Sequence, residues 1–556
     1  MAADEPGPGR AARPEWVERL LAPEAWPHPV ERVKLVETHI SWVFLTGPFA
    51  YKVKKPVKLE FLDFSTPDIR RHFCEEEVRL NRRFAPGLYL ETVPIGGTVS
   101  APRVGEGADE SPVSGEAPAL REWAVKLVQF DETCRLDALF DAGRLTVDDC
   151  VRLGEEIARV EATLAVADPS NGYGSPERLR AVFAMNLDEI ARTRPDAADR
   201  ARRVGAWLFE RLDRDRAAFV GRIAGDKIRE CHGDLHLANL VLLDGRPVAF
   251  DSIEFNPTLR WIDVASDVAF LSMDLESRGR ADLAAHVTSA WMETADDHAA
   301  AAVLPVHRVA RAVVRAAVAA IRGAQADCPP AEKTRARAEC DRYLALAERL
   351  SAPQTPVMLV VTGVSGCGKS TLAGRAVGRL AAVRLRSDVE RKRLAGMAPA
   401  DRPDGAGGTA ALYSAEATRR VYERLAALAR DLLAAGASVV VDATGNTREQ
   451  RRLLAAAALD TAAPLAWVDI DLPEELLLER VERRRAEGRD PSDATVDVVR
   501  RQLASREPIG PDETAPDGQP RVIRVAVGAA ELADPDALLD RVAADLRGSI
   551  RSGADR

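Results

Sequence analysis

The spacing of hydrophobic positions changes repeatedly along the 556 residues. Between 33 and 58, short β-branched and aromatic runs (33–37, 42–45, 50–53) alternate with turns, and T-G-P at 46–48 marks one of them. Three strands are expected there. Residues 66–84 move to a helical period, with Phe73, Leu80 and Phe84 on one stripe. A strand is expected over 88–95. Residues 96–119, rich in Gly, Pro, Ser and acids, read as a solvated loop, and 123–130 as a buried strand. From 136 to about 224 the period is helical. A strand–loop–strand unit follows over 229–255, and helices return to about 350. Strands first and helices afterwards predict a small β-rich lobe followed by a larger helical lobe.

The pattern resets at S-A-P-Q-T-P (351–356), which reads as a linker. Beyond it M-L-V-V-T has the composition of a buried parallel strand. Further strands are expected at 438–442 and 465–470, and helices at 370–380, 412–434 and 473–487. This alternation predicts an α/β domain with a parallel sheet. The expected organisation is therefore a bilobal α+β domain over 14–350 and an α/β domain over 357–556, with no internal repeat. Residues 1–13 read as a disordered tail.

Composition narrows the function classes. Apolar residues at 46% and charged residues at 29% are ordinary for a soluble globular chain. A net charge of -9 argues against nucleic acid as a general partner. Seven cysteines, an odd number without a C-x-x-C pair, indicate neither a disulfide framework nor a zinc site. There is no charged-then-apolar leader and no apolar run of membrane-spanning length. A cytoplasmic location without a membrane partner is expected, and nothing in the sequence sets an oligomeric state.

Two motifs carry chemistry. G-V-S-G-C-G-K-S (363–370) lies between an expected strand and an expected helix, the context a phosphate-binding P-loop requires. Its glycines let backbone N–H groups turn toward a phosphate. Lys369 would reach the β- and γ-phosphates of ATP, and Ser370 would ligate Mg2+. The candidate nucleotide-binding set is Gly363, Ser365, Gly366, Cys367, Gly368, Lys369, Ser370 and Thr371. Downstream, L-R-S-D-V-E-R-K-R-L (385–394) offers Asp388 as base for an attacking hydroxyl and Arg391 as a charge clamp; the same Ser-Asp pair could instead cap a helix. Asp442 ends the strand S-V-V-V-D and would orient Mg2+ through water, unless it only caps the strand end. Arg480 and Arg484 fall on one helix face and, with Arg489, are candidates for a lid over the triphosphate. A solvated charged helix is the alternative for any one of them.

The second motif is H-G-D-L-H-L-A-N (232–239), whose Asp and Asn are five apart as in a kinase catalytic loop. Asp234 would take the acceptor proton and Asn239 would hold Mg2+. The following L-V-L-L-D-G-R-P-V-A-F-D reads as a hairpin that returns Asp251 to the same place as a second metal ligand. His232 would brace the loop. In the β-rich lobe F-A-Y-K makes Lys52 the candidate for the α- and β-phosphates, with Lys54 two residues on along the same face. Glu75, Glu76 and Glu77 are the possible partners, and Glu77 shares the Phe73–Leu80 stripe.

The carriers H-G-D-L-H-L-A-N, A-F-D-S-I-E-F-N and R-W-I-D-V-A-S-D-V-A-F-L resemble the aminoglycoside phosphotransferase-like family over most of 30–345. That resemblance implies a protein-kinase-like bilobal fold, with an adenine-facing hinge near 128–130. Residues 357–510 resemble the small P-loop kinases that include gluconate kinase, zeta toxins and the kinase part of polynucleotide kinase. There the carriers are G-V-S-G-C-G-K-S-T, S-D-V-E-R, V-D-A-T-G-N and R-D-P-S-D-A, and 396–410 is a segment that could cover the acceptor. The whole arrangement resembles bacterial fusions of these two kinds. One departure stands out: E-T-H-I-S-W (37–42) occupies the place of the glycine-rich phosphate loop and contains no glycine.

The expected function is ATP- and Mg2+-dependent phosphoryl transfer by both domains to hydroxyls of small molecules. Two alternatives stay open. The first domain could be a nucleotide or ligand sensor for the second, or the P-loop domain could phosphorylate polynucleotide 5'-hydroxyls.

Overall fold

A computed structural model describes residues 13–59, 62–106, 119–326, 328–398, 401, 411–487, 496–510, 513, 522–523 and 534–554. The expected tail over 1–13 falls outside them apart from Arg13. Close packing divides the chain into two units. The first comprises 1–145, 159–274 and 310–347; the second comprises 146–158, 275–309 and 348–556.

The first unit begins with a six-stranded antiparallel sheet. Its spatial order is Lys34–Glu37, Ser41–Leu45, Phe49–Lys54, Glu122–Val128, Tyr89–Thr98 and Ala101–Val104. Both faces are apolar. Trp16, Trp26, Phe44 and Tyr51 pack on one, and Cys74, Val78, Tyr89 and Trp123 on the other. The helix Pro67–Asn81 covers the second face, started by Thr66 Oγ1, which accepts the N–H of Ile69. Of the expected Phe73–Leu80–Phe84 stripe Leu80 is buried, while Phe73 and Phe84 are half-buried. Arg70, Cys74, Glu77, Val78, Leu80 and Asn81 turn inward, because partners across the fold satisfy the polar members.

The segment 96–104 is not the expected solvated loop but part of the sheet. The strand Tyr89–Thr98 continues through Gly96 and Gly97 and pairs with Ala101–Val104, where Pro102 and Val104 alternate inward. Gly97 has φ +80°, and a side chain there would collide with the Ala101 carbonyl. The glycines that suggested a loop make a hairpin possible. Residues 107–118 lie outside the described residues.

Helices follow the sheet in this unit as the 3.6-residue period predicts: Leu136–Asp141, Pro176–Thr193, Ala198–Arg214 and Arg216–Ala224; the helix Val147–Glu161 between them belongs to the second unit over most of its length. The hairpin Leu240–Leu243 with Arg246–Ala249 turns at Asp244-Gly245, both with positive φ, as the tight D-G turn requires. An antiparallel sheet with a covering helix, then helices around the 240–249 hairpin, is the protein-kinase-like α+β architecture.

The second unit is built on a five-stranded parallel sheet in the order Val383–Arg386, Val439–Asp442, Met358–Thr362, Leu465–Asp469 and Val522–Ile523. The central strand is buried at every position, which accounts for its unbroken apolar run. Helices Lys369–Leu380, Ala415–Ala434, Arg448–Asp460 and Glu474–Glu487 connect the strands. The helix Ala281–Ala295 also belongs to this unit and lies along Lys369–Leu380. Gly378 permits that approach: a Cβ there would stand 3.1 Å from both Asp282 Cβ and His286 Nε2. Ser289 Oγ accepts the N–H of Arg384 at 2.9 Å, and Glu293 pairs with Arg386.

Candidate functional sites

The P-loop leaves the central strand at its C-terminal end and enters the helix Lys369–Leu380, where N–H groups lack intrahelical partners. Gly363, Gly366 and Gly368 have φ of +139°, +91° and +96°. A Cβ on Gly363 would lie 2.6 Å from Cys367 Sγ and from the Ile470 carbonyl. Cys367 is buried and its thiol is pushed up by burial, so it serves as packing under the loop. Thr371 N–H bonds the Gly368 carbonyl at 3.1 Å within the first turn.

Asp442 ends the neighbouring parallel strand beside this loop. Arg384 Nη2 donates to its Oδ2 at 2.5 Å, and the Ser370 hydroxyl lies near enough to favour its ionised form. Burial opposes ionisation of Asp442. The charges of Arg384 and Lys369 outweigh it and hold the group below the ordinary carboxylate range. Its Oδ1 is buried without a hydrogen-bond partner. A serine hydroxyl, an ionised carboxylate and an orphan carboxylate oxygen beside a phosphate cradle fit Mg2+ chemistry.

Asp388 lies in the first turn of the helix Ser387–Leu394, half-buried, with no hydrogen-bond or ion-pair partner among the described residues. The residue before that helix, Arg386, is extended, and no side chain caps it. Arg391 is buried; its Nη1 donates to the Leu412 carbonyl at 3.0 Å and to Thr418 Oγ1 at 3.1 Å, and its guanidinium stacks 4.6 Å over Tyr413. It fastens the 412–418 segment to the Asp388 helix. Arg480 Nη1 is 3.9 Å from the position a Gly368 Cβ would take, so this arginine lies over the P-loop. Arg484 sits on the helix Glu474–Glu487, and its side chain lies outside the described residues, as does Arg489. Most of the 396–410 segment is likewise outside them.

Sequence reasoning missed several members of this site. Gln502 Oε1 accepts the Ser365 N–H at 2.9 Å, and Asn446 Nδ2 donates to the Gln502 carbonyl at 2.8 Å. Arg384 reaches Asp442 across 58 residues of sequence. No local pattern marks these contacts, because they join elements separated by whole helices.

In the first unit Lys52 Nζ donates to Glu77 Oε1 at 2.8 Å and to Asp251 Oδ1 at 2.5 Å. Lys54 donates to Glu77 Oε2 at 2.6 Å and also pairs with Glu254. The two lysines thus share one carboxylate. Burial opposes the Glu77 charge, yet Lys52 and Lys54 bring its pKa to about 2. Burial, together with the Glu77 charge, pushes Glu254 up despite Lys54. Glu75 and Glu76 pair instead with Arg71 and Arg79.

The catalytic-type loop is braced from all sides. His232 Nε2 bonds the Phe250 carbonyl at 2.9 Å, while its Nδ1 accepts the Asp234 N–H at 3.3 Å. That pattern fits one neutral tautomer, and burial lowers its pKa in the same sense. Asp267 accepts the N–H groups of His232 and Gly233 at 2.7 and 2.9 Å, and Asp274 that of Leu237 at 3.1 Å. Asn239 Nδ2 donates to Asp234 Oδ2 at 3.0 Å. Burial opposes the Asp234 charge, but His236, His232 and Arg315 hold the group well below the usual carboxylate range. Asp251 has φ +65°, an uncommon conformation for an aspartate, and its N–H is bonded by Tyr89 Oη at 3.0 Å. Asn239 and Asp251 are the residues that could hold a metal here.

The glycine-free segment is a closed hairpin tip. Thr38 N–H bonds the Ser41 carbonyl at 2.9 Å, Ser41 N–H bonds Thr38 Oγ1 at 3.0 Å, and Lys55 ties Glu37 to the Thr38 carbonyl. At the expected hinge, Gln129 N–H bonds the Pro48 carbonyl at 3.0 Å and Val128 N–H the Leu88 carbonyl at 2.9 Å.

A family model described as an AAA domain matches residues 358–509. An uncharacterized protein of Mycobacterium tuberculosis and one of Mycobacterium bovis are each 29% identical over 486 residues, covering 86% of this chain and 92% of the relative. Among solved structures, a gluconokinase from Sinorhizobium meliloti is similar at 24% identity, covering 35% of this chain and 99% of its own, with a TM-score of 0.23. The amicoumacin kinase hAmiN is similar at 13% identity over 60% of this chain and 92% of its own, with a TM-score of 0.36. A choline/ethanolamine kinase family protein from Mesorhizobium loti is similar at 14% identity over 60% and 98%, with a TM-score of 0.33. The chain joins a protein-kinase-like fold to a P-loop domain of the kind that the family model describes.

Proposed function

We propose that the protein is an ATP- and Mg2+-dependent phosphotransferase that moves the γ-phosphoryl group to a hydroxyl of a small molecule, with a kinase-like centre in each unit. The observation that carries this reading is the Ser370–Asp442 pair beside the P-loop, with Oδ1 of Asp442 left unpartnered. In the P-loop centre Lys369 and Arg480 offset phosphate charge, and Asp388 receives the acceptor proton. In the first unit Lys52 holds phosphate, Asn239 and Asp251 hold metal, and Asp234 receives the proton. Mg2+, when bound, neutralises charge on the phosphates as the bond to ADP breaks. The protein's part is otherwise positioning and fixed charge.

The closed Thr38–Ser41 hairpin favours a second reading, in which the first unit binds nucleotide or ligand without turning it over. Acceptor-dependent ADP release tests both. Wild type, Asp234→Ala and Lys369→Ala are assayed with sugars, polyols, aminoglycosides and an oligonucleotide. Each substitution is expected to remove a different acceptor activity by at least about 100-fold. Asp234→Ala without effect on any acceptor would leave the sensor reading, and no acceptor-dependent release from wild type would end the small-molecule reading.

A further inference from the structure

The acids that could have formed a pocket for a polycation are committed elsewhere. Asp263 is bound by Arg222 at 2.6 and 2.8 Å, Asp267 accepts the His232 and Gly233 N–H groups, and Asp274 accepts the Leu237 N–H. The charged side chains that approach Asp234 from the neighbouring helix are basic. Arg311 Nη1 donates to the carbonyl of Gly233, the residue before Asp234, at 3.1 Å. Its guanidinium lies 4.8 Å over the ring of Phe270, which meets the His236 ring edge-on at 5.6 Å. His236 Nε2 is 3.3 Å from Asp234 Oδ2. These contacts chain Arg311 to the candidate base. Arg315 follows one helical turn later on the same face, 5.6 Å over Tyr343 and 3.3 Å from Glu339.

Arg311 differs from most arginines here. Among the described residues no carboxylate lies within ion-pair reach of it; one carbonyl and one ring are its neighbours. Burial lowers its pKa, with Asp267 and Asp234 opposing at longer range. Arg311 is half-buried, and Asp267 and Asp234 act on its charge without pairing with it, so a negative group beside the guanidinium would gain a charge-assisted contact.

We propose that the acceptor phosphorylated at Asp234 is an anion: a small hydroxylated compound bearing a phosphate or a carboxylate, with that group against Arg311 and Arg315 one turn away. The proposal rests on the phosphotransferase reading of the first unit. In the step, the acceptor O–H proton passes to Asp234. The acceptor oxygen forms its bond to the γ-phosphorus as the bridging bond breaks, and the ADP oxygen keeps that electron pair.

The test uses the full chain carrying Lys369→Ala, so that the P-loop does not contribute phosphate binding, saturated with AMP-PNP and Mg2+. Calorimetry compares glycerol 3-phosphate and glycerate with glycerol, choline and kanamycin. At least one of the two anions is expected to bind about tenfold or more tighter than every neutral or cationic probe, and which one does so separates the phosphate and carboxylate sources. Arg311→Gln is expected to abolish that preference while AMP-PNP affinity is kept, and Arg311→Lys to restore part of it. If Arg311→Gln also loses AMP-PNP, Arg315→Gln decides, with at least a threefold loss of preference expected. Tighter binding of choline or kanamycin, or an anion preference that survives these substitutions, overturns the acceptor assignment alone. Failure of the Lys369→Ala chain to bind AMP-PNP overturns the kinase reading of the first unit, and the acceptor assignment with it.

Discussion

Replacing Glu77 by Gln should cost the first unit roughly 3 kcal/mol of local stability at neutral pH. Glu77 is fully buried, and its two oxygens receive Lys52 at 2.8 Å and Lys54 at 2.6 Å. Its pKa falls from an ordinary 4.5 to about 2. At about 1.4 kcal/mol per pH unit, that fall corresponds to roughly 3 kcal/mol. Breaking a buried pair costs about 3–5 kcal/mol by a separate route. The lower end applies because Lys52 keeps Asp251 and Lys54 keeps Glu254. The sign follows from the lowered pKa. The contribution is complete above about 4.5 and declines by about 1.4 kcal/mol per pH unit as the pH falls toward 2. Hydrogen exchange of the strand Phe49–Lys54 reads the local free energy without assuming that both units unfold together. Exchange in Glu77→Gln should be faster by on the order of 100-fold at pH 7, and the gap from wild type should narrow below pH 4.5. A change under about 1 kcal/mol at pH 7, or a gap independent of pH, would refute the reasoning.

Three further outcomes are expected. Gly363→Ala should weaken ATP binding at the P-loop at least about tenfold, because its Cβ meets Cys367 Sγ and the Ile470 carbonyl at a φ of +139°; titration of a fluorescent ATP analogue into protein whose first-unit nucleotide site is removed by Lys52→Ala measures it. Asp442→Asn should raise the Mg2+ concentration for half-maximal P-loop turnover by about tenfold or more, with metal-free nucleotide affinity nearly unchanged, since Ser370 and the lone Oδ1 then lack the charge that attracts a cation. Gly378→Val should destabilise the second unit by about 1–3 kcal/mol, seen as faster exchange in the helix Ala281–Ala295, because Asp282 and His286 fill the space a side chain needs.

The sequence by itself determined what local rules govern. Strand-like runs around one helical stretch before residue 128, and a 3.6 period after 136, predicted a sheet with a covering helix followed by more helices. The unbroken run M-L-V-V-T fixed a buried parallel strand, and D-G at 244–245 fixed a hairpin. The P-loop was legible because all its parts are contiguous. The errors came where a local signal had two physical solutions. Gly96-Gly97 suits a loop or a tight hairpin, and only pairing with Ala101–Val104 selects the hairpin. The helix 67–81 buries Arg70, Glu77 and Asn81 because Glu122, the two lysines and Ser252 wait for them, information that is 23 to 171 residues away. Lys52 and Lys54 look like rivals in sequence, but adjacent positions on one strand face let a single carboxylate hold both. Which acids face Asp234, which arginine meets Asp442, and which unit takes the helix Ala281–Ala295 were decided only by tertiary packing. Charge balance and close approach in a folded interior are set by distances between remote segments, and no period along the chain encodes those distances.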